Sequence, residues 1–248
     1  MLSAVMTEKT AGDSAKMVAF DQNIIMYLNG VFPHSVITGR LVEIVCSSNL
    51  FKGGIFMAFY WWIWFRPDEE AIVNRNRKIV VLTLLGVFLA LFIVRVLIIT
   101  IPFRFRPLDD PRIVFQLPFQ FVPAVGKWSS FPSDHAALFT GLAAGFWFIH
   151  RRLFYIAIAY VFLMIMLPRL FLGLHYPTDL LAGALLGLAC VLICLKLLMN
   201  NRLLATALSW GDQHKGIFYS FFFLVTFQLA VLFDDVRYIG DMIIKLMH

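Results

Sequence analysis

Charge is what this chain has least of. Aspartate, glutamate, lysine and arginine make up 15% of its 248 residues, against 60% hydrophobic residues and a mean hydropathy of +0.81. A soluble domain carries about a quarter of its residues charged, so this balance excludes one and places the chain in a bilayer. Cysteine is sparse as well. Cys46, Cys190 and Cys194 are odd in number, and the last two lie in one apolar run; no disulfide framework can be built from them, and they read as small apolar side chains. The first twenty residues hold Glu8, Lys9, Asp13 and Lys16 before any apolar run, and so lack the basic start, apolar centre and cleavage site of a signal peptide. No repeat or low-complexity tract marks a second domain. The net charge of +6 and pI near 9.4 come from basic residues that flank apolar runs. That is the pattern of membrane topology, not of nucleic-acid binding.

What is present is apolar length. A spanning helix takes about 20 mostly apolar residues, and six runs approach it, at roughly 50–65, 79–101, 132–150, 152–168, 178–198 and 216–233. They predict an all-α, polytopic membrane helical bundle forming a single domain over 1–248, with a transmembrane core at 50–233. Residues 1–48 are expected to be a tail and an interfacial helix, because 19–47 mixes Ile24, Ile25, Leu28 and Val31 with Asp21, Asn23, Asn29 and Arg40; an irregular extra span is the alternative. Lysine and arginine concentrate at 66–78, 151–152 and 196–215, which makes that side cytoplasmic. The loops 102–131 and 169–177 then face the periplasm or cell exterior, together with the N-terminal stretch. Gly141 with Gly145, and Gly183 with Gly187, have the spacing that lets membrane helices approach closely.

Ionisable residues at membrane helix ends need a reason, and they form three clusters, at 95–107, 131–135 and 168–179. In the first, Arg106 offers a planar fork of donors suited to phosphate, although an arginine at a helix end also snorkels to head groups. In the second, Phe131, Pro132, Ser133, Asp134 and His135 precede an apolar helix. Proline suits a first helical turn, the turn's N–H groups attract an anion, and Ser133 adds a hydroxyl. His135 can carry a proton near neutral pH, or sit there as a bland interfacial residue. In the third, Arg169 precedes His175 and Asp179, four residues apart. If a helix begins near Pro177 these two share a face, and Asp179 can fix the imidazole so that its other nitrogen attacks; a simple helix cap is the alternative. No cluster holds the acidic set that magnesium or paired metals require.

In order and spacing these segments resemble the three-part pattern of the type 2 phosphatidic acid phosphatase superfamily, with Arg106-Pro107 ending the first motif, Pro132 to His135 forming the second, and Arg169 through His175 to Asp179 the third. The resemblance implies that His175 forms a phosphohistidine, Asp179 orients it, and His135 protonates the leaving group. Arg106, Arg169, Ser133 and the Asp134 amide would hold the phosphate oxygens, without cofactor or metal. Three positions depart from the pattern. The usual lysine of the first motif falls on Ile99, so Arg95 or Arg104 becomes a candidate for its place in substrate binding. Asp134 replaces a glycine, and Pro168 replaces a serine.

The implied activity is hydrolysis of a lipid phosphate or diphosphate on the extracytoplasmic side of a cell (inner) membrane. An undecaprenyl-type isoprenoid diphosphate leads, through the resemblance to bacterial members with aspartate in the second motif. Phosphatidic acid, phosphatidylglycerol phosphate and lipid A phosphates are the alternatives, as is a lipid phosphotransferase using the same intermediate. A channel or transporter would place charges in mid-helix, where only Arg95 stands.

Overall fold

The computed structural model describes residues 19–32, 35–117 and 128–234, with Met242. The signal-peptide argument at Glu8 to Lys16, residues 118–127 of the loop, and the rest of the tail after Asp234 lie outside the described residues.

Every regular element among the described residues is helical. Helix α1 covers 19–31 and α2 covers Val36–Ser47. A π-helical turn, Leu50–Gly54, runs into α3, Ile55–Phe65. Helix α4 is Glu70–Thr100, and α5 is Asp134–Ile149. Helix α6, Arg151–Tyr160, continues through π-helical Val161–Met166 into α7, Leu167–Phe171. Helices α8, Pro177–Leu198, α9, Arg202–Gln213, and α10, Lys215–Ala230, follow. Proline at 168 has no N–H to offer and its ring crowds the carbonyl one turn back; the widened turn directly before it accommodates both effects without ending the helix.

Among the described residues three stretches are long and apolar enough to cross a membrane, namely Glu70–Thr100, Arg151–Phe171 and Pro177–Leu198; Val36–Ser47 with Leu50–Phe65, bent by 61°, gives a fourth if that pair is one span. Helices α5 and α10 have 16 residues each, a rise of about 24 Å at 1.5 Å per residue. For α5 the short length has a reason. Eleven of its residues, Ala136 to Phe146, are buried between α4, α6 and α8, so neighbouring helices and not lipid set its length.

Three boundaries differ from the sequence expectation. Helix α4 starts at Glu70, well before residue 79, because a helix need not stop where hydropathy does; Arg75 reaches the Phe148 carbonyl at 2.6 Å and Arg77 the Asp212 carboxylate at 3.1 Å, so its charged first turns are anchored. Helix α9 occupies what reads as a connection. The expected single interfacial helix is two, α1 and α2.

Lipid is as apolar as leucine, so helices in it associate through close packing and not through burial from water. The α4–α5–α8 centre shows this. A Cβ on Gly183 would lie 2.2 Å from the Ser133 carbonyl oxygen, one on Gly187 2.0 Å from that of Ala137, and one on Gly86 2.6 Å from the Val191 Cα. Only glycine permits these approaches, and the first of them sets the start of α5 directly against α8. Cys46, Cys190 and Cys194 are free and buried.

Candidate phosphate-binding active site

The start of α5, the turn after α7 and the start of α8 meet at one end of the bundle. Ser133 is the N-cap of α5, its hydroxyl accepting from the Ala136 N–H at 3.4 Å, and its own N–H donates to the Asp179 carbonyl at 3.1 Å. Pro132 therefore stands just before the cap and not within the first turn.

His175 lies in the connection before α8, not on the helix. Gly173, at φ +65°, turns the chain after α7 through a backbone region that costs other residues about 1–2 kcal/mol, and the Leu108 N–H bonds its carbonyl at 2.9 Å. The imidazole is 5% exposed. Its Nδ1 is 2.9 Å from the Ser130 carbonyl oxygen and 3.7 Å from Asp179 Oδ2. The orienting acceptor is thus the Ser130 backbone; Asp179 is at ion-pair distance, outside hydrogen-bonding range. Since a carbonyl only accepts, Nδ1 carries the proton and Nε2 holds the lone pair. Burial pushes the His175 imidazole below its ordinary value, with Asp179 acting against the shift, so the neutral form is favoured.

Asp179 is occupied elsewhere. Its Oδ2 accepts from the Tyr176 N–H at 2.8 Å, the capping alternative, and its Oδ1 accepts from Arg104 Nη1 at 2.5 Å. Arg104 also donates to Thr178 Oγ1 at 3.0 Å, pairs through Nη2 with Asp21, and lies 4.5 Å from the Tyr176 ring centre. This arginine, expected as a substrate ligand, is held between two buried carboxylates.

Arg106 presents a different arrangement. Its Nη1 donates to the Leu174 carbonyl at 2.8 Å, while its buried Nε has no partner. Burial pushes the guanidinium below its ordinary value, and Asp134, Asp179 and Asp109 act against this. Arg169 is 2% exposed and donates through Nη1 to the Ile165 carbonyl at 2.7 Å.

The aspartate at 134 points aside. Its Oδ2 meets Arg95 at 3.0 Å, and its Oδ1 accepts from the His135 N–H at 2.8 Å and lies 2.8 Å from His135 Nδ1. Arg95 thereby neutralises the carboxylate that stands where the family pattern has glycine, and Asp134 orients His135 with Nε2 as the remaining ring nitrogen. Ile99 is 74% exposed and faces away from the bundle. Among the described residues, no three His, Cys, Asp or Glu side chains converge as a metal site.

Two contributors escaped sequence reasoning. Ser130 acts through its backbone, which no residue type announces. Asp21, fully buried, accepts from the Thr178 N–H at 3.2 Å besides binding Arg104 and the Thr178 hydroxyl. Its signal was available. Asp21, Ile25 and Asn29 are the buried residues of α1, at a spacing of four, so two polar residues lie on its packed stripe. Asn29 binds both the carbonyl and the N–H of Gln116, at 2.8 and 3.0 Å, tying the loop after Arg106 to the same helix. There Arg112 holds the Asp110 carboxyl well below the usual carboxylate range, with burial opposing and Tyr176 adding to the effect.

A family model described as PAP2 superfamily matches residues 102–203, a segment that contains the second and third clusters whole and the first from Pro102 onward. The bacitracin transport permease protein BcrC of Bacillus licheniformis is 35% identical over 81 residues, covering 30% of this chain and 39% of that protein. The chain thus matches about two-fifths of the length of this curated relative. No solved structure matches it.

Proposed function

Because residues 102–203 match a family model described as PAP2 superfamily, we propose that the protein is an integral membrane phosphatase that hydrolyses a lipid phosphate or diphosphate through a phosphohistidine on His175. The observation that carries the reading is the buried, unpartnered Nε of Arg106 next to a histidine whose Nδ1 is already committed to Ser130. One is a donor awaiting an acceptor; the other is a nitrogen with a lone pair to give.

In the proposed first step His175 Nε2 attacks phosphorus, the bond to the lipid oxygen breaks, and His135 Nε2 delivers a proton to that oxygen. Asp134, against His135 Nδ1, stabilises the charged imidazole that serves as acid. Arg106, Arg169, the Ser133 hydroxyl and the Asp134 amide hold the phosphate oxygens. His135, now neutral, takes a proton from water as it attacks phosphorus; the P–N bond breaks and phosphate leaves, with His175 restored. Asp179 acts by fixing the backbone and Arg104 around this centre. The basic end of the bundle, with Arg66, Arg75, Arg77, Arg151 and Arg152, is assigned to the cytoplasm, which puts the site on the periplasmic or outer face of the cell membrane. An undecaprenyl-type isoprenoid diphosphate is the leading substrate.

The relative's name raises transport as a second reading, but Arg95, a charge well inside a span, is paired with Asp134 at the site. Phosphate release from a panel of lipid phosphates by the purified protein in micelles tests the proposal. Release from at least one lipid, unaffected by chelator and abolished by His175→Ala in a folded protein, is expected. Strict magnesium dependence, release by His175→Ala at the normal rate, or label passing only to an acceptor lipid would each overturn it.

A further inference from the structure

Both arginines that the sequence offers in place of Ile99 face carboxylates, Arg95 on Asp134 and Arg104 between Asp21 and Asp179. Arg106 and Arg169 donate only to carbonyls. One further cation comes from a segment outside all three motifs. Lys52, in the π-helical turn Leu50–Gly54, is 7% exposed. Gly53 beside it packs so tightly on the Ala230 backbone that a Cβ would lie 2.1 Å from its oxygen, which fixes the turn on that side. The turn packs on π-helical Val161–Met166, immediately before the helix of Arg169. Of the charges that act on the ammonium, Arg169 opposes its charged form most strongly, while Cys46, Asp234 and Asp134 favour it in that order, and the ammonium in turn acts on His135. Among the described residues no side-chain hydrogen bond or ion pair within 4 Å engages it.

Arg169 donates to the Ile165 carbonyl in the segment on which the Lys52 turn packs, and two buried cations on packed neighbouring turns repel each other unless an anion joins them. Single π-helical turns of this kind recur where a side chain is re-aimed at a functional site. We propose that Lys52 is a phosphate-binding residue of the site, reaching the anion from the start of α3 and completing with Arg106 and Arg169 a set of three cations. The identity of the anion as a substrate's phosphate head rests on the phosphatase reading above. Three cations against a single phosphate also suit a head group of high negative charge, a dianionic monoester or a diphosphate.

Binding of inorganic phosphate to the full chain in micelles, measured by calorimetry, tests this without turnover. Lys52→Met keeps the length and shape of the side chain and removes its charge. It should weaken phosphate binding by about tenfold or more, the usual effect of losing a charged hydrogen bond, while Lys52→Arg retains most of it. Wild-type affinity in Lys52→Met overturns the proposal. Should that variant not fold, labelling of Lys52 in the wild-type protein by an amine reagent decides between the same outcomes; protection by phosphate supports the assignment and unchanged labelling refutes it. Lys52-dependent phosphate binding in a protein that hydrolyses no lipid phosphate would sink the phosphatase reading alone.

Discussion

His175 has its Nδ1 2.9 Å from the Ser130 carbonyl and is 5% exposed. The acceptor fixes the tautomer and burial disfavours the charged form, so both effects favour a neutral ring with Nε2 unprotonated. Nitrogen-15 NMR of histidine-labelled protein should find His175 as the Nδ1–H tautomer, neutral at pH values below the ordinary 6.5. A histidine with a lowered folded value contributes fully above 6.5 and progressively less as pH falls toward that lower value. An imidazole charged at pH 6.5 would contradict the assignment. At this scale the sequence was informative about residue types and less so about partners. Arg106, Ser133, His135, Arg169, His175 and Asp179 stand out by type and spacing, and the structure brings them to one end of the bundle. That Arg104 binds Asp21 and Asp179, and that Ser130 orients His175, depends on a distant helix and on backbone atoms, neither of which spacing records.

Helix contacts determine where those residues stand. The approach of α8 to α5 at Gly183 fixes Ser133, since a Cβ there would lie 2.2 Å from the Ser133 carbonyl. Gly183→Ala should therefore lower stability by about 1–3 kcal/mol, as overpacking does, and reduce phosphate release by moving the α5 cap. Gly30, in α1, has open space on its Cβ side, with nothing within 4 Å, and Gly30→Ala should leave both unchanged or raise stability slightly. Thermal unfolding and phosphate release of both variants in micelles check this; equal behaviour of the two would remove the packing argument. The glycine pairs were legible because small residues four apart mark close helix contacts. Helix ends were less so. Glu70 to Lys78 of α4 are helical but polar, and hydropathy sees the bilayer boundary, not the hydrogen-bonded one.

Over the whole molecule, the charges divide by end. At one end Arg75 and Arg77 bind the Phe148 carbonyl and Asp212, and Arg151 lies over Trp147. At the other, Asp21, Asp134 and Asp179 are matched with Arg95 and Arg104, leaving Arg106, Arg169 and Lys52 without a carboxylate in ion-pair contact among the described residues. The all-α membrane bundle was readable from composition and apolar runs. The spacing of Asp21 with Ile25 and Asn29 marks it as a polar residue on the packed stripe of α1, but its partners Arg104 and Thr178 lie far along the chain and no spacing names them. An anion that answers the three cations and meets His175 Nε2 is the central claim, and rapid quenching of the protein with phosphorus-labelled lipid phosphate followed by peptide mass spectrometry tests it most directly. The account predicts an acid-labile phosphoryl group on the peptide containing His175, at His175 itself; turnover with no such adduct, or an adduct on His135 instead, would contradict it.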